Sequence, residues 1–178
     1  MMRRKNRKNR TRKSRKNRIL HVIFVLYMIV LMFVLIFKFP TGMVSETFRR
    51  MACGETVIRA PMQLTPFKTI IDYASQVHSL TDWFIKNLAC NIIMFVPLGF
   101  LLPMMEKNKS ASKRGKNRKK VVMKTVMSGI GLSVLIEIFQ YITCLGQCDI
   151  DDVILNALGT IIGVYVWQLS TKIFKKKK

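Results

Sequence analysis

Glu137 stands alone: no other charge falls between Thr125 and Leu145, in an apolar run that also carries Gln140. An acid at the middle of such a run costs about 2.5 kcal/mol or more to place in a membrane, so it faces a protein interior or a wet cavity. There it can serve as a general acid or base. It can equally hold helices in register through a hydrogen bond to Gln140 or Asn156, and the sequence leaves both roles open.

The spacing around Glu137 is helical. Gly129, Ser133, Glu137, Gln140 and Cys144 follow one another at steps of three or four, which puts them on one face. Asp152, Asn156, Gly159 and Gly163 do the same in the next apolar run, and Asn87 and Asn91 in an earlier one. Gly159 to Gly163 is a small-xxx-small pair of the kind that lets membrane helices approach closely. Gly129, Gly159 and Gly163 are therefore the expected packing positions. Asp149, Asp151 and Asp152 precede the last run, where acids cap a helix and complement its dipole. They are also the weak candidates for a hard cation such as Mg2+ or Ca2+. No metal or other cofactor is expected.

These residues need elements to position them. Residues 19–37 form an apolar stretch long enough to span a bilayer, about 28 Å as a helix, and read as an uncleaved signal anchor. Further spans are expected at 88–105, with Pro97 and Pro103 bending it, at 121–145 and at 153–174. The stretch 38–87 is too polar to span, and its later part predicts one or two short helices on the membrane surface. Phe67, Ile70, Ile71 and Ala74 would be their apolar positions, with Trp83 and Phe84 at headgroup level. The fold class is thus all-α, an integral membrane bundle of four transmembrane helices with interfacial helices in the outer loop.

Charge orients the bundle. The 178 residues are 50% hydrophobic yet carry a net charge of +22. The Lys and Arg concentrate in the N-terminal segment 1–18, the loop 106–120 and the tail 175–178, joined by Lys172. The positive-inside rule puts those three segments, and both termini, in the cytoplasm. Most acids then fall on the opposite side, and Asn91, Glu137 and Asn156 lie about 6–10 Å inside the outer helix ends. The expected site is a polar pocket of Asn91, Glu137, Gln140, Asp149, Asp152 and Asn156 that opens outward. The basic blocks flank apolar runs and lack interleaved aromatics, so nucleic acid is not the expected partner. Anionic lipid at the cytoplasmic face is. The four cysteines form no CxxC pair or Cys/His cluster; Cys144 and Cys148 are near enough to pair but read better as small apolar filler.

The stretch NIIMFVPLGFLLP from Asn91 to Pro103, IEIFQ from Ile136 to Gln140, and DIDDVILNALG from Asp149 to Gly159 together resemble the VanZ-like family. Leu64, Pro66 and Phe67 of QLTPFKTI add a further matching element, and the resemblance covers roughly residues 64–167. It implies a small bacterial membrane protein, in a family named for a member associated with resistance to teicoplanin, a lipoglycopeptide. The family's recurrent polar positions correspond to Asn91, Glu137, Gln140, Asp149, Asp152 and Asn156. Two positions depart from the pattern. Gly146 stands where an arginine is usual, and Cys90 where a glycine commonly precedes the asparagine. Together with the convergent polar faces, this gives as the expected function an action at the cell envelope, with a lipid, a lipid-linked wall precursor or a lipoglycopeptide antibiotic in the pocket. Two other functions stay open. One is a membrane enzyme working on a lipid headgroup with Glu137 as the candidate catalytic acid/base. The other is a structural partner of another membrane protein.

Overall fold

The computed structural model describes residues 2–37, 41–54, 62–75, 82–109, 117–144 and 148–176. Gly146 and the rest of 145–147, the middle of the basic loop (110–116) and the last two lysines lie outside the described residues. Six helices follow in order: α1 Met2–Phe37, α2 Thr41–Ala52, α3 Lys68–Ser75, α4 Asp82–Lys109, α5 Asn117–Ile142 and α6 Ile150–Lys176. Among the described residues there is no strand, only a one-residue parallel bridge between Gln63 and Asp149. Four helices contain windows long and apolar enough to cross a membrane: Asn17–Val34, Leu88–Glu106, Arg118–Ile142 and Ile150–Ile173. The chain is an all-α, multi-pass membrane protein.

Two helices differ from expectation. α1 begins well before its apolar span, because Lys and Arg are good helix formers and the adjoining span supplies the costly nucleus. α2 falls in a stretch with no expected helix. Its support is local: Glu46 accepts from Arg49 Nε and Arg50 Nε, both at 2.8 Å, three and four residues on. Those two bonds hold the Glu46 carboxyl down at about 2.

The bundle is built around α4 and α6, which share the largest interface; α5 packs on both, and α1 leans on α4. α4 and α6 run parallel at close range. A Cβ on Gly99 would lie 2.0 Å from the Thr160 backbone oxygen, and one on Gly163 2.1 Å from that of Val96. On Gly159 it would lie 2.1 Å from the Ile92 oxygen. Only hydrogen fits at such contacts. α5 runs antiparallel to α6, with Gly129 against the Thr160 side chain. α4 continues through Pro97 and Pro103. α1 is held by an apolar contact of Leu31 with Phe95, Leu98 and Ile136, and by Tyr27, whose hydroxyl donates to the Met94 carbonyl at 2.8 Å.

The burial pattern is inverted relative to a water-soluble bundle. Asn91, Ser133, Glu137, Gln140, Asn156 and Thr160 are buried, while Ile93, Leu135, Ile142, Tyr165 and Ile173 are each about 60% exposed. Apolar side chains facing outward require lipid around them, and polar ones facing inward must satisfy each other.

Candidate polar site at the start of α6

The site is organised by the residues that open α6. Cys148 O accepts from Gln63 N at 2.9 Å, and Ile150 N donates to Gln63 O at 3.0 Å, which pins the segment before α3 across the α6 N-terminus. Asp149 is the helix cap: its Oδ1 accepts from Asp151 N at 2.9 Å, and its Oδ2 from Thr69 Oγ1 at 2.6 Å. Asp151 is fully buried and reaches away from its own helix. Its two oxygens accept from Phe67 N at 2.6 Å and Ile70 N at 3.2 Å, so it caps α3 from outside. Asp152 Oδ1 accepts from the Asn91 amide of α4. The three acids thus have three different jobs. Among the described residues no group of three His, Cys, Asp or Glu side chains is arranged to hold a metal ion.

Glu137 lies below this junction. Its Oε2 accepts from Asp149 N at 3.0 Å, so the carboxylate joins α5 to the turn before α6. Gln140 is buried one turn further along α5. Asn156 donates from Nδ2 to Ser133 Oγ at 2.8 Å, deeper in the bundle. Its Oδ1 is buried and has no donor among the described residues. Thr160 closes the lower edge, bonding to Asn156 O at 3.0 Å. At this end of the bundle Met62, Leu64, Phe67 and Ile71 are exposed around the junction. Trp83 and Phe84 fall in the first turn of α4.

Ser133, Thr69, Thr160 and Gly99 also belong to this end or to the contact beneath it. Ser133 was visible on the Glu137 face. Thr160 and Gly99 each sit two turns along from a polar site residue, Thr160 from Asp152 and Gly99 from Asn91, so helical spacing could have found them. Thr69 could not be found that way, because its partner is 80 positions distant. All four cysteines are free thiols, so Cys144 and Cys148 do not pair. Burial pushes the Cys148 thiol up, and the charges of Glu137 and Asp149 push it further. It is a poor nucleophile at neutral pH.

Burial also raises the Asp149 carboxyl above its ordinary 3.8; the Thr69 and Asp151 bonds oppose this, and the neighbouring Asp152 and Asp151 charges add to it. The folded state therefore binds this proton more tightly than the unfolded one. Its contribution to stability is complete below the ordinary value and is lost as pH rises through the raised one. In detergent, the unfolding midpoint of Asp149→Asn should fall less than wild type on going from about pH 4 to about pH 7. Parallel profiles would show that Asp149 does not titrate differently on folding.

Residues 24–172 match the model of the VanZ/LLP1 family. Over 94 residues the chain is 31% identical to Protein VanZ of Enterococcus faecium, a stretch that covers 52% of this chain and 51% of that protein. The chain thus spans about half the length of this curated relative. No solved structure matches.

Proposed function

The chain belongs to the VanZ/LLP1 family, and from that premise we propose that it acts at the bacterial cell envelope to lower susceptibility to teicoplanin-type lipoglycopeptides. In this reading the basic ends face the cytoplasm. The α6 N-terminus faces outward, and Met62, Leu64, Phe67 and Ile71 dip into the outer headgroups. The polar residues below the junction bind a lipid-linked wall precursor or the lipoglycopeptide itself.

One observation carries the reading. Asn156 Oδ1 is an acceptor about 9 Å into α6 with no donor among the described residues. A buried polar atom left unpaired costs about 1–3 kcal/mol. A hydroxyl or amide N–H of a ligand removes that cost, and both proposed ligands are rich in such groups. Glu137, Ser133 and Asn91, from two neighbouring helices, line the approach.

The test is expression of the intact chain and its Asn156→Ala and Glu137→Gln variants at matched membrane levels, with teicoplanin susceptibility as the readout. The intact chain should raise the inhibitory concentration. Asn156→Ala should weaken ligand binding about tenfold, the equivalent of one 1.4 kcal/mol contact, and bring susceptibility back toward the empty vector. No protection from the intact chain sinks the proposal. A changed lipid species that vanishes in Glu137→Gln would replace binding with headgroup chemistry at the same residue.

A further inference from the structure

At the opposite end of the bundle, α5 and α6 line a groove of about 770 Å³. That is within the ~300–1,000 Å³ of ordinary ligand sites. Val122, Met123, Val126 and Ile161 make its walls apolar, and Arg118 and Lys119 stand at its mouth. Arg118 is the second residue of α5 and opens that helix's membrane-crossing window, which sets it at headgroup depth.

Two polar groups here lack partners. Arg118 Nη2 is buried and has no acceptor among the described residues. Trp167, only 5% exposed, has an indole N–H in the same condition. The Arg118 guanidinium carbon lies 5.9 Å from the Trp167 ring centroid, a cation–π contact that fixes where the guanidinium sits. The acid nearest in kind at this end, Glu106, is taken by Lys124 at 3.0 Å. Among the described residues no carboxylate neutralises Arg118 or Lys119.

We infer that this groove holds one anionic glycerophospholipid, with its phosphate on Arg118 and Lys119 and one acyl chain along the apolar wall between α5 and α6. A guanidinium matches phosphate through paired N–H bonds. Basic pockets between membrane helices at the end bearing the positive loops are where anionic headgroups collect. The apolar wall selects a lipid over free phosphate, which would leave Val122, Met123 and Val126 uncovered. The inference is independent of the outer polar site.

Trp167 reports on it. In the full chain carrying Trp83→Phe, in detergent micelles, Trp167 is the sole indole. Fluorescence quenching is followed with phosphatidylglycerol bearing brominated acyl chains, against phosphatidylcholine with the same chains. The expected preference for phosphatidylglycerol is about thirtyfold, from about fivefold for each of two basic groups near the headgroup. Arg118→Gln should reduce it to about fivefold or less. Val126→Phe, which fills the groove, should abolish quenching by both lipids. Lys172→Gln, exposed on the last turns of α6, should change nothing. Should Arg118→Gln fail to accumulate, Lys119→Gln, an exposed side chain, must still lower the preference. Equal quenching by the two lipids overturns the inference. So does a preference that survives Arg118→Gln or Lys119→Gln, or unchanged quenching in Val126→Phe. Absence of quenching in a chain that runs as a dimer would assign the groove to a second copy and overturn it as well.

Discussion

Gly163→Leu should separate α4 from α6 and lower stability by about 3 kcal/mol, the upper end of what overpacking costs. The reason lies in what the new side chain meets. A Cβ at Gly163 falls 2.1 Å from the Val96 carbonyl oxygen and 2.9 Å from the Gly99 Cα. Both are backbone atoms of a helix, so neither can rotate away. The helices must part by a distance that also removes the contacts at Gly99 and Gly159. Inside a bilayer little hydrophobic drive remains to draw the helices back, because lipid tails cover the exposed surface as well as another helix does. Asn91 and Asp152 would be pulled apart at the same time. Gly131 on α5 supplies the opposite sign. A Cβ there meets nothing within 4 Å, so Gly131→Ala should stabilise by about 0.5–1 kcal/mol through helix propensity. Denaturant titration in mixed micelles reads both changes. A Gly163→Leu midpoint equal to wild type would mean that α4 and α6 are not packed this closely.

The contrast between Gly163 and Gly99 marks the limit of the sequence. Gly159 and Gly163 announce themselves by sharing a stripe with Asp152 and Asn156. Gly99 sits between Pro97 and Pro103, where a glycine reads as part of a bend, and only the parallel partner shows that it is a contact. The spans themselves were legible because charge and apolar residues are segregated along the chain, and a bilayer enforces that segregation. The polar faces were legible because a helix repeats every 3.6 residues. Partner choice was not. Glu137 accepts from the backbone N–H of Asp149, 12 positions on, a partner that helical spacing does not encode. Asp151 reaches 84 and 81 positions along the chain, to Phe67 and Ile70, and no periodicity encodes that. The helical state of the charged segment before Ile19 was hidden for a different reason: a dense run of like charge looks like a solvated tail until an adjoining span nucleates it.

Asp151→Ala should release the α3 cover of the polar site without dissolving the bundle. Asp151 is the only side chain that accepts from Phe67 N and Ile70 N among the described residues, and it is wholly buried. Hydrogen bonds to a charged acceptor contribute about 1.5–3 kcal/mol each. Losing two of them should cost roughly 3–5 kcal/mol for docking of the segment from Gln63 through α3. Phe67 aggravates the loss, because its φ of 65° is a left-handed conformation that a bulky residue adopts only when held there. With the carboxylate gone, the acceptor that holds the Phe67 N–H in place is lost. Asp151→Asn keeps one oxygen for two donors and should fall between. Phe67→Gly in the Asp151→Ala background should recover about 1 kcal/mol, since glycine adopts this φ at no steric cost. Amide exchange reads the effect locally: Phe67 and Ile70 should lose protection, while α4 and α6, locked at Gly99 and Gly163, keep theirs. Protection at Phe67 and Ile70 that survives Asp151→Ala would sink the capping role. If it is lost, Thr69 leaves Asp149, and the Asp149–Glu137 link beneath becomes open to solvent. The same variant then separates stability from the proposed function: if the intact chain lowers teicoplanin susceptibility and Asp151→Ala, still folded in its spans, does not, the α3 cover shapes the polar site.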